Sequence, residues 1–360
     1  MILLLLLFGA FVFLLLISIS RKLYMRIQDN QNRKIVNNIK QTIGGFVSGT
    51  EPEFREGLEK FAADILGKKK NYRVIVDGYL LEILDQPETE HRNRLIEIAA
   101  RLGFPAECIA QIRNRNFRIS AFGSQRAGLY NVREAVKDMV AALDFFSSEN
   151  QFEILMGIAR MGDSEAMKTA FEKIKNRILV NERGIIEILS AFPGGDKKNE
   201  LFRSMIHCDT PYVSALFLKA TGKEMVKALM KDIVQVLETG NKDVRAAAVR
   251  SLATLDKKAP VKILLQALED KDWEVRALAA KALGPIKTPE VSTALYNALR
   301  DQQWWVRQNA ATSLASHPGY EALFILTAES GDEYAKDSVL SALEDGGSPV
   351  LLRSLKVMTV

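Results

Sequence analysis

A dipeptide recurring at a fixed interval constrains this chain more than any other feature. Val244-Arg245, Val275-Arg276 and Val306-Arg307 stand 31 residues apart, and a degraded copy, Ala335-Lys336, follows 29 residues later. Behind each copy the same small-residue pattern returns. Val275, Leu278, Ala279, Ala282 and Leu283 repeat Val244, Ala247, Ala248, Ser251 and Leu252. The third copy reads Val306, Asn309, Ala310, Ser313, Leu314, and the fourth Ala335, Ser338, Val339, Ala342, Leu343. These offsets trace one face of an α-helix. A unit of about 30 residues that repeats at fixed period stacks on its neighbours as a solenoid, because no unit can bury its apolar stripe alone.

Upstream of each Val-Arg helix runs a second amphipathic segment. Ile263, Leu264, Ala267 and Leu268 in one copy match Ala294, Leu295, Ala298 and Leu299 in the next. Between the two lies Asp270-Lys271-Asp272, whose carboxylates suit the free N–H groups of a helix start. Pro260 and Pro289 stand where new helices begin, and Gly284-Pro285 ends one. Each unit therefore reads as helix, tight turn, helix.

The string Asp270-Lys271-Asp272-Trp273-Glu274-Val275-Arg276-Ala277-Leu278-Ala279 resembles the short HEAT-like repeats of the phycobilisome-lyase type. The resemblance implies an all-α fold, a right-handed α-solenoid of HEAT-like helix pairs. It says little about activity, since one fold serves many roles.

Ahead of the repeats, Ile2 to Ile19 is uncharged and rich in Leu, Phe, Val and Ile. As a helix it spans about 27 Å, close to the roughly 30 Å hydrocarbon core of a bilayer. A cleaved signal peptide fits less well, because no basic residues precede the run. Residues 2–19 are thus expected to form one N-terminal transmembrane helix. Arg21, Lys22, Arg26, Arg33, Lys34 and Lys40 follow it, opposed only by Asp29. The positive-inside rule then puts the N-terminus outside and the repeats in the cytoplasm.

Residues 20–73 read as a basic juxtamembrane segment with linker helices, loosened at Gly44-Gly45, Gly49 and Pro52. A helical N-terminal cap over 74–118 follows, then degenerate HEAT-like repeats over 119–240 and regular ones with a C-terminal cap over 241–360. In the degenerate part, Glu134-Ala135-Val136 and Glu165-Ala166-Met167 each open a helix after a glycine-bearing turn, at Gly128 and Gly162. This layout resembles bacterial membrane-anchored HEAT-repeat proteins. The resemblance implies a protein partner and an accessory role beside a membrane glycosyltransferase in envelope polysaccharide synthesis.

No constellation of catalytic residues stands out, and no cofactor or metal ligand set is expected. The three histidines, His91, His207 and His317, are followed by Arg92, Cys208 and Pro318, so the His-Glu pairs of a HEAT-repeat di-iron hydroxylase are missing. Cys108 and Cys208 have neither metal nor redox spacing. The formal charge of +5, from 49 Lys and Arg against 44 Asp and Glu, is too small to imply nucleic acid.

The leading expectation is a scaffold. Trp305 replaces Glu274 of the preceding repeat at a position that faces water, and is the best candidate for partner contact. Trp273 and Trp304 share the position before it, a regularity that favours packing against the preceding helix pair, and they stand beside Trp305 as candidates for partner contact. The arginine row is expected to pair with turn aspartates such as Asp243, Asp270 or Asp301. Arg113, Arg115, Arg118, Arg126 and Arg133, interleaved with Phe117 and Phe122, are candidates for anion or lipid contact, beside Arg21, Lys22 and Arg26. The alternatives are a bilin-lyase-like enzyme and an anionic lipid- or nucleic-acid-binding solenoid.

Overall fold

The computed structural model describes residues 33–68, 70–86, 88–146, 151–174, 182–224, 226–255, 261–346 and 348–357. Among them all regular structure is helical. The expected transmembrane segment over 2–19, with Arg21, Lys22 and Arg26, lies outside the described residues. Among the described residues no helix is long and apolar enough to cross a membrane. Contacts divide the chain into two compact units, Met1–Ala142 and Leu143–Val360.

In the first unit α1 covers 33–47, followed by α2 (Glu51–Gly67), α3 (Lys70–Leu84), α4 (Arg92–Arg101), α5 (Phe104–Ile112), α6 (Phe117–Leu129), a 3-10 turn at Arg133–Ala135, and α7 (Val136–Ala142). The loose hinge expected at Gly44-Gly45 is instead helix. Burial explains the difference: Ile39, Ile43, Phe46 and Val47 all bury on this helix, and Phe46 packs its ring 6.0 Å from Phe54 and 5.9 Å from Phe61. The turn after it is pinned as well, because Arg94 Nη1 donates to both Val47 O and Gly49 O at 2.6 Å. Thr50 and Glu53 then form a capping box that starts α2. Gly128, expected in a turn, lies buried inside α6.

The second unit runs α8 (Phe152–Met161), α9 (Ser164–Ile174), α10 (Glu182–Ala191), α11 (Asp196–Ile206), α12 (Pro211–Lys223), a 3-10 turn at Lys227–Leu229, α13 (Met230–Thr239), α14 (Lys242–Leu255), α15 (Val261–Ala267), α16 (Trp273–Leu283), α17 (Pro289–Ala298), α18 (Trp304–Leu314), α19 (Tyr320–Glu329), α20 (Glu333–Glu344) and α21 (Pro349–Val357). Even-numbered helices contact one another in sequence, and α9, α11 and α13 do likewise in a looser second layer. The Val-Arg helices α14, α16, α18 and α20 belong to the tight layer.

Residue size sets that tightness. A Cβ on Gly222 of α12 would meet Ser251 Cα of α14 at 2.9 Å, so only glycine allows this crossing. Gly284 faces Ser313, where an added Cβ would meet the serine side chain, Oγ at 2.9 Å and Cβ at 3.2 Å. Small inward residues, including Ala247, Ala248, Ala279, Ala280, Ala310 and Ala311, let the remaining helices approach closely.

The turns are built by short polar side chains. Asn241 Oδ1 accepts from Val244 N at 3.0 Å, and Asp332 Oδ1 accepts from Ala335 N at 3.0 Å, so both act as helix caps. The Asp270 carboxylate instead accepts from Asp272 N at 2.8 Å, within the turn, and Asp272 does not cap the helix that it precedes.

Candidate functional site

Two of the three candidate tryptophans, Trp273 and Trp305, line one groove of about 510 Å³ on the tight layer, and Trp304 does not. Tyr212 of α12, Trp273 of α16 and Trp305 of α18 face it, with Lys219, Arg250 and Asn309 between them. Their clustering follows from the repeat: Leu278 and Asn309 occupy the +3 position of the Val-Arg pattern and are only partly buried, so that row opens onto the groove. Trp305 is 55 % exposed. Trp304 is 46 % exposed rather than packed away. It opens α18, where its ring meets Trp305 edge-on with centroids 4.6 Å apart, so the two indoles shield each other at the helix start. Trp273 is half-buried.

Charges along the groove are mostly matched. Lys242 pairs with Glu274 at 2.8 Å and Lys219 with Glu182 at 2.6 Å. Arg250 is exposed and has no partner among the described residues, as is Asp243, which therefore takes no part in the arginine row. Asn309 donates through Nδ2 to Ala277 O at 3.0 Å.

The arginine row forms a ladder. Arg245 Nε and Nη2 each donate to the Asp270 carboxylate at 2.8 Å, and Nη2 also reaches Asp272 at 2.6 Å. Arg276 grips Asp301 at 2.7 and 2.9 Å. Burial works against ionisation of both aspartates, yet the facing guanidinium and a backbone N–H hold each carboxyl below the usual range. Lys336 does not continue the ladder; it is nearly buried and turns to Glu333 at 3.5 Å.

The basic-aromatic run divides. Arg113 is exposed but already engages Asp138 through Nε and Nη2 at 2.9 and 3.0 Å. Arg115 and Arg118 are exposed, beside Ile119 and Phe122 at 40 % and 43 % exposure. Arg126 leaves the surface altogether at 2 % exposure. It donates to Asp77 Oδ1 at 2.9 Å and to Gln111 at 2.9 Å, and lies 5.3 Å from the Phe104 ring. Tyr130 also donates to Asp77, at 2.6 Å. Sequence reasoning missed this cluster, because Asp77 sits in α3 with nothing local to mark its partner. Beside it, burial pushes the Cys108 thiol up to about 11, which makes it a poor nucleophile.

His207 and Cys208 border a smaller cavity of about 270 Å³. His207 Nε2 lies 3.3 Å from Asp232, and burial raises the Cys208 thiol as well. His317 is buried between Ser292 Oγ at 2.8 Å and Gly284 O at 3.1 Å, as a joint between repeats. His91 stands before α4 in a left-handed conformation, with φ of 53°. Among the described residues no group of His, Cys, Asp or Glu side chains converges as a metal site.

Residues 230–315, from α13 through α18, match the HEAT-repeat family. This stretch of the chain carries HEAT-like repeats. No curated protein matches the chain. Among solved structures it is similar to the complex of CpcE and CpcF of phycocyanin lyase from Nostoc, at 16 % identity over 71 % of this chain and 92 % of that one, with a TM-score of 0.29. It is also similar to human deoxyhypusine hydroxylase in complex with glycerol, at 13 % identity over 78 % and 98 %, with a TM-score of 0.28. Both the groove and the ladder lie on the HEAT repeats, and Tyr212 and Lys219 extend the groove onto the helix before the matched segment.

Proposed function

We propose that the protein is a non-catalytic scaffold, tethered by its apolar segment over 2–19, whose HEAT repeats dock a protein partner on the cytoplasmic side. The observation that carries this reading is the groove with Tyr212, Trp273 and Trp305 on a layer too tightly packed to move aside. Large aromatics set on rigid helices give contact area at little entropic cost, and such residues dominate binding energy at protein interfaces. The partner proposed from the layout of the chain is a membrane glycosyltransferase of envelope polysaccharide synthesis.

The test is crosslinking and recovery of the full-length membrane form, with Trp305→Ala beside the wild type. The expected outcome is a membrane glycosyltransferase held by the wild type and bound roughly 30-fold more weakly by the variant, as for a residue contributing about 2 kcal/mol. Recovery of a bound chromophore or of nucleic acid in place of a protein sinks the reading.

A further inference from the structure

The ladder breaks at its third rung. Arg245 and Arg276 are held alike at both ends: Nη1 donates to a carbonyl of the turn before its own helix, Gly240 O at 2.9 Å and Asp270 O at 2.8 Å. Nε and Nη2 together grip the carboxylate of the following turn. Arg307 repeats the first half, with Nη1 donating to Asp301 O at 2.8 Å and Gln302 O at 3.0 Å. The second half is missing.

The residue standing where Asp270 and Asp301 stand is Ser330. The turn itself fixes this register, because in each case the side-chain oxygen accepts from the N–H two residues on. Asp270 accepts from Asp272 and Asp301 from Gln303, both at 2.8 Å, and Ser330 Oγ from Asp332 at 3.4 Å. The serine hydroxyl is shorter than a carboxylate and donates to Thr327 O at 2.7 Å. Arg307 is only 7 % exposed, and its Nε has no hydrogen-bond partner. A guanidinium never loses its charge, so a buried one with an open donor edge stands ready for an anion.

We propose that Arg307 receives a carboxylate from the docked protein, an aspartate or glutamate side chain that enters the place Asp270 and Asp301 fill at the two earlier turns. This assignment rests on the scaffold reading and names the chemistry of its partner. Planar carboxylate is favoured over phosphate because the two sister rungs already bind carboxylate through the same pair of in-plane N–H groups. The site also has a door. The Tyr334 ring lies over the Arg307 guanidinium at 5.3 Å and is 72 % exposed, and Ser330 is exposed as well, so both yield to an entering side chain. Trp305 and Tyr334 occupy equivalent positions on neighbouring helices, one residue before Val306 and Ala335, and offer apolar cover to the acidic residue's neighbours.

The test uses the full chain, a displayed library of random peptides, and the variant Ser330→Asp, which supplies the missing carboxylate from within. Peptides selected on the wild type are expected to require an Asp or Glu, whose change to Asn or Gln weakens binding at least about tenfold. Ser330→Asp is expected to raise the melting temperature and to lose the same peptides by a similar factor. Acetate competes with them at lower concentration than inorganic phosphate. Selected peptides without an acidic requirement, or bound equally by wild type and Ser330→Asp, overturn the rung assignment and leave the scaffold reading standing. Phosphate competing better than acetate overturns the carboxylate. Selection of no peptide at all sinks the scaffold reading and this inference with it. Should Ser330→Asp fail to fold, the acidic-to-amide peptide pairs and the acetate competition decide alone.

Discussion

Each of the two compact units buries arginine, and each does so by a different logic. In the second unit Arg245 and Arg276 meet Asp270 and Asp301 at the same sequence separation, 25 residues, with the same pair of nitrogens. In the first unit Arg126 meets Asp77 across 49 residues, shares it with Tyr130, and adds Gln111 and the Phe104 ring, an arrangement used once. A repeated interaction is one term copied along a stack, so each copy is replaceable and can be dropped singly, as it is at Arg307, whose Nε has no partner. A unique network is closed on itself: remove one member and the others are left charged and dry.

The sharpest break in that comparison is Asp77→Ala. Arg126 would keep its burial and lose its nearer carboxylate, at 2.9 Å, with Glu107 3.4 Å away and 42 % exposed as a poor substitute. Removing one partner of a buried pair costs about 3–5 kcal/mol. Urea unfolding followed by far-UV circular dichroism should show that loss, and a cost below about 1 kcal/mol would mean the network is ornamental.

Asp301→Asn tests the copied version and should cost less, about 1.5–3 kcal/mol, because an amide oxygen in the Oδ1 place still accepts from Arg276 Nη2 and from Gln303 N–H, and only the Nε–H loses its acceptor. Its pH dependence is more telling than its size. The Asp270 and Asp301 carboxyls lie below their ordinary range in the folded chain. The stability they contribute is therefore complete above the unfolded carboxylate range, about pH 4, and fades as pH falls through their folded values. The variant should flatten this acid limb in a melting-temperature series from pH 7 to pH 3. His317 acts in the same direction at higher pH: burial and then Lys287 lower its pKa, so its contribution is full above about pH 6.5 and declines below.

Gly222→Ala probes the tight layer itself. The added methyl would stand 2.9 Å from Ser251 Cα, a backbone atom that cannot swing away. Overpacking of this kind costs about 1–3 kcal/mol. Intrinsic tryptophan fluorescence reads the result, since Trp273 lies on α16 and Trp304 and Trp305 on α18, the helices stacked after α14 in the same layer.

What could be seen in the sequence divides along the same line. The helix pairs, the Val-Arg period and the pairing of Arg245 and Arg276 with turn aspartates were legible, because the repeat prints each contact several times. The outward position of Trp305 was legible for the same reason, as a Trp where the register has Glu274. Arg126 read as part of a surface run, since its neighbours Arg113, Arg115 and Arg118 are exposed and nothing local marks Asp77 as its partner. Gly44-Gly45 read as a hinge, because glycine propensity is a local signal and the burial of Ile43, Phe46 and Val47 overrides it. The unpaired third rung needed the turn geometry, as a shift from 31 to 29 residues hides the equivalence of Ser330 to Asp301.

The smallest predicted effect isolates geometry from composition. Gly78 lies inside α3, and an added Cβ would meet nothing within 4 Å. Gly78→Ala makes the same chemical change as Gly222→Ala with the opposite sign: it removes backbone freedom from the unfolded chain and should stabilise by about 0.4–1 kcal/mol. The two variants measured side by side by urea unfolding separate what glycine costs a helix from what it permits between helices. Equal effects would mean that the approach of α12 to α14 is set by something other than the missing side chain. Opposite signs would tie the rigidity of the groove layer to Gly222, and with it the fixed spacing of the aromatic side chains that the groove presents.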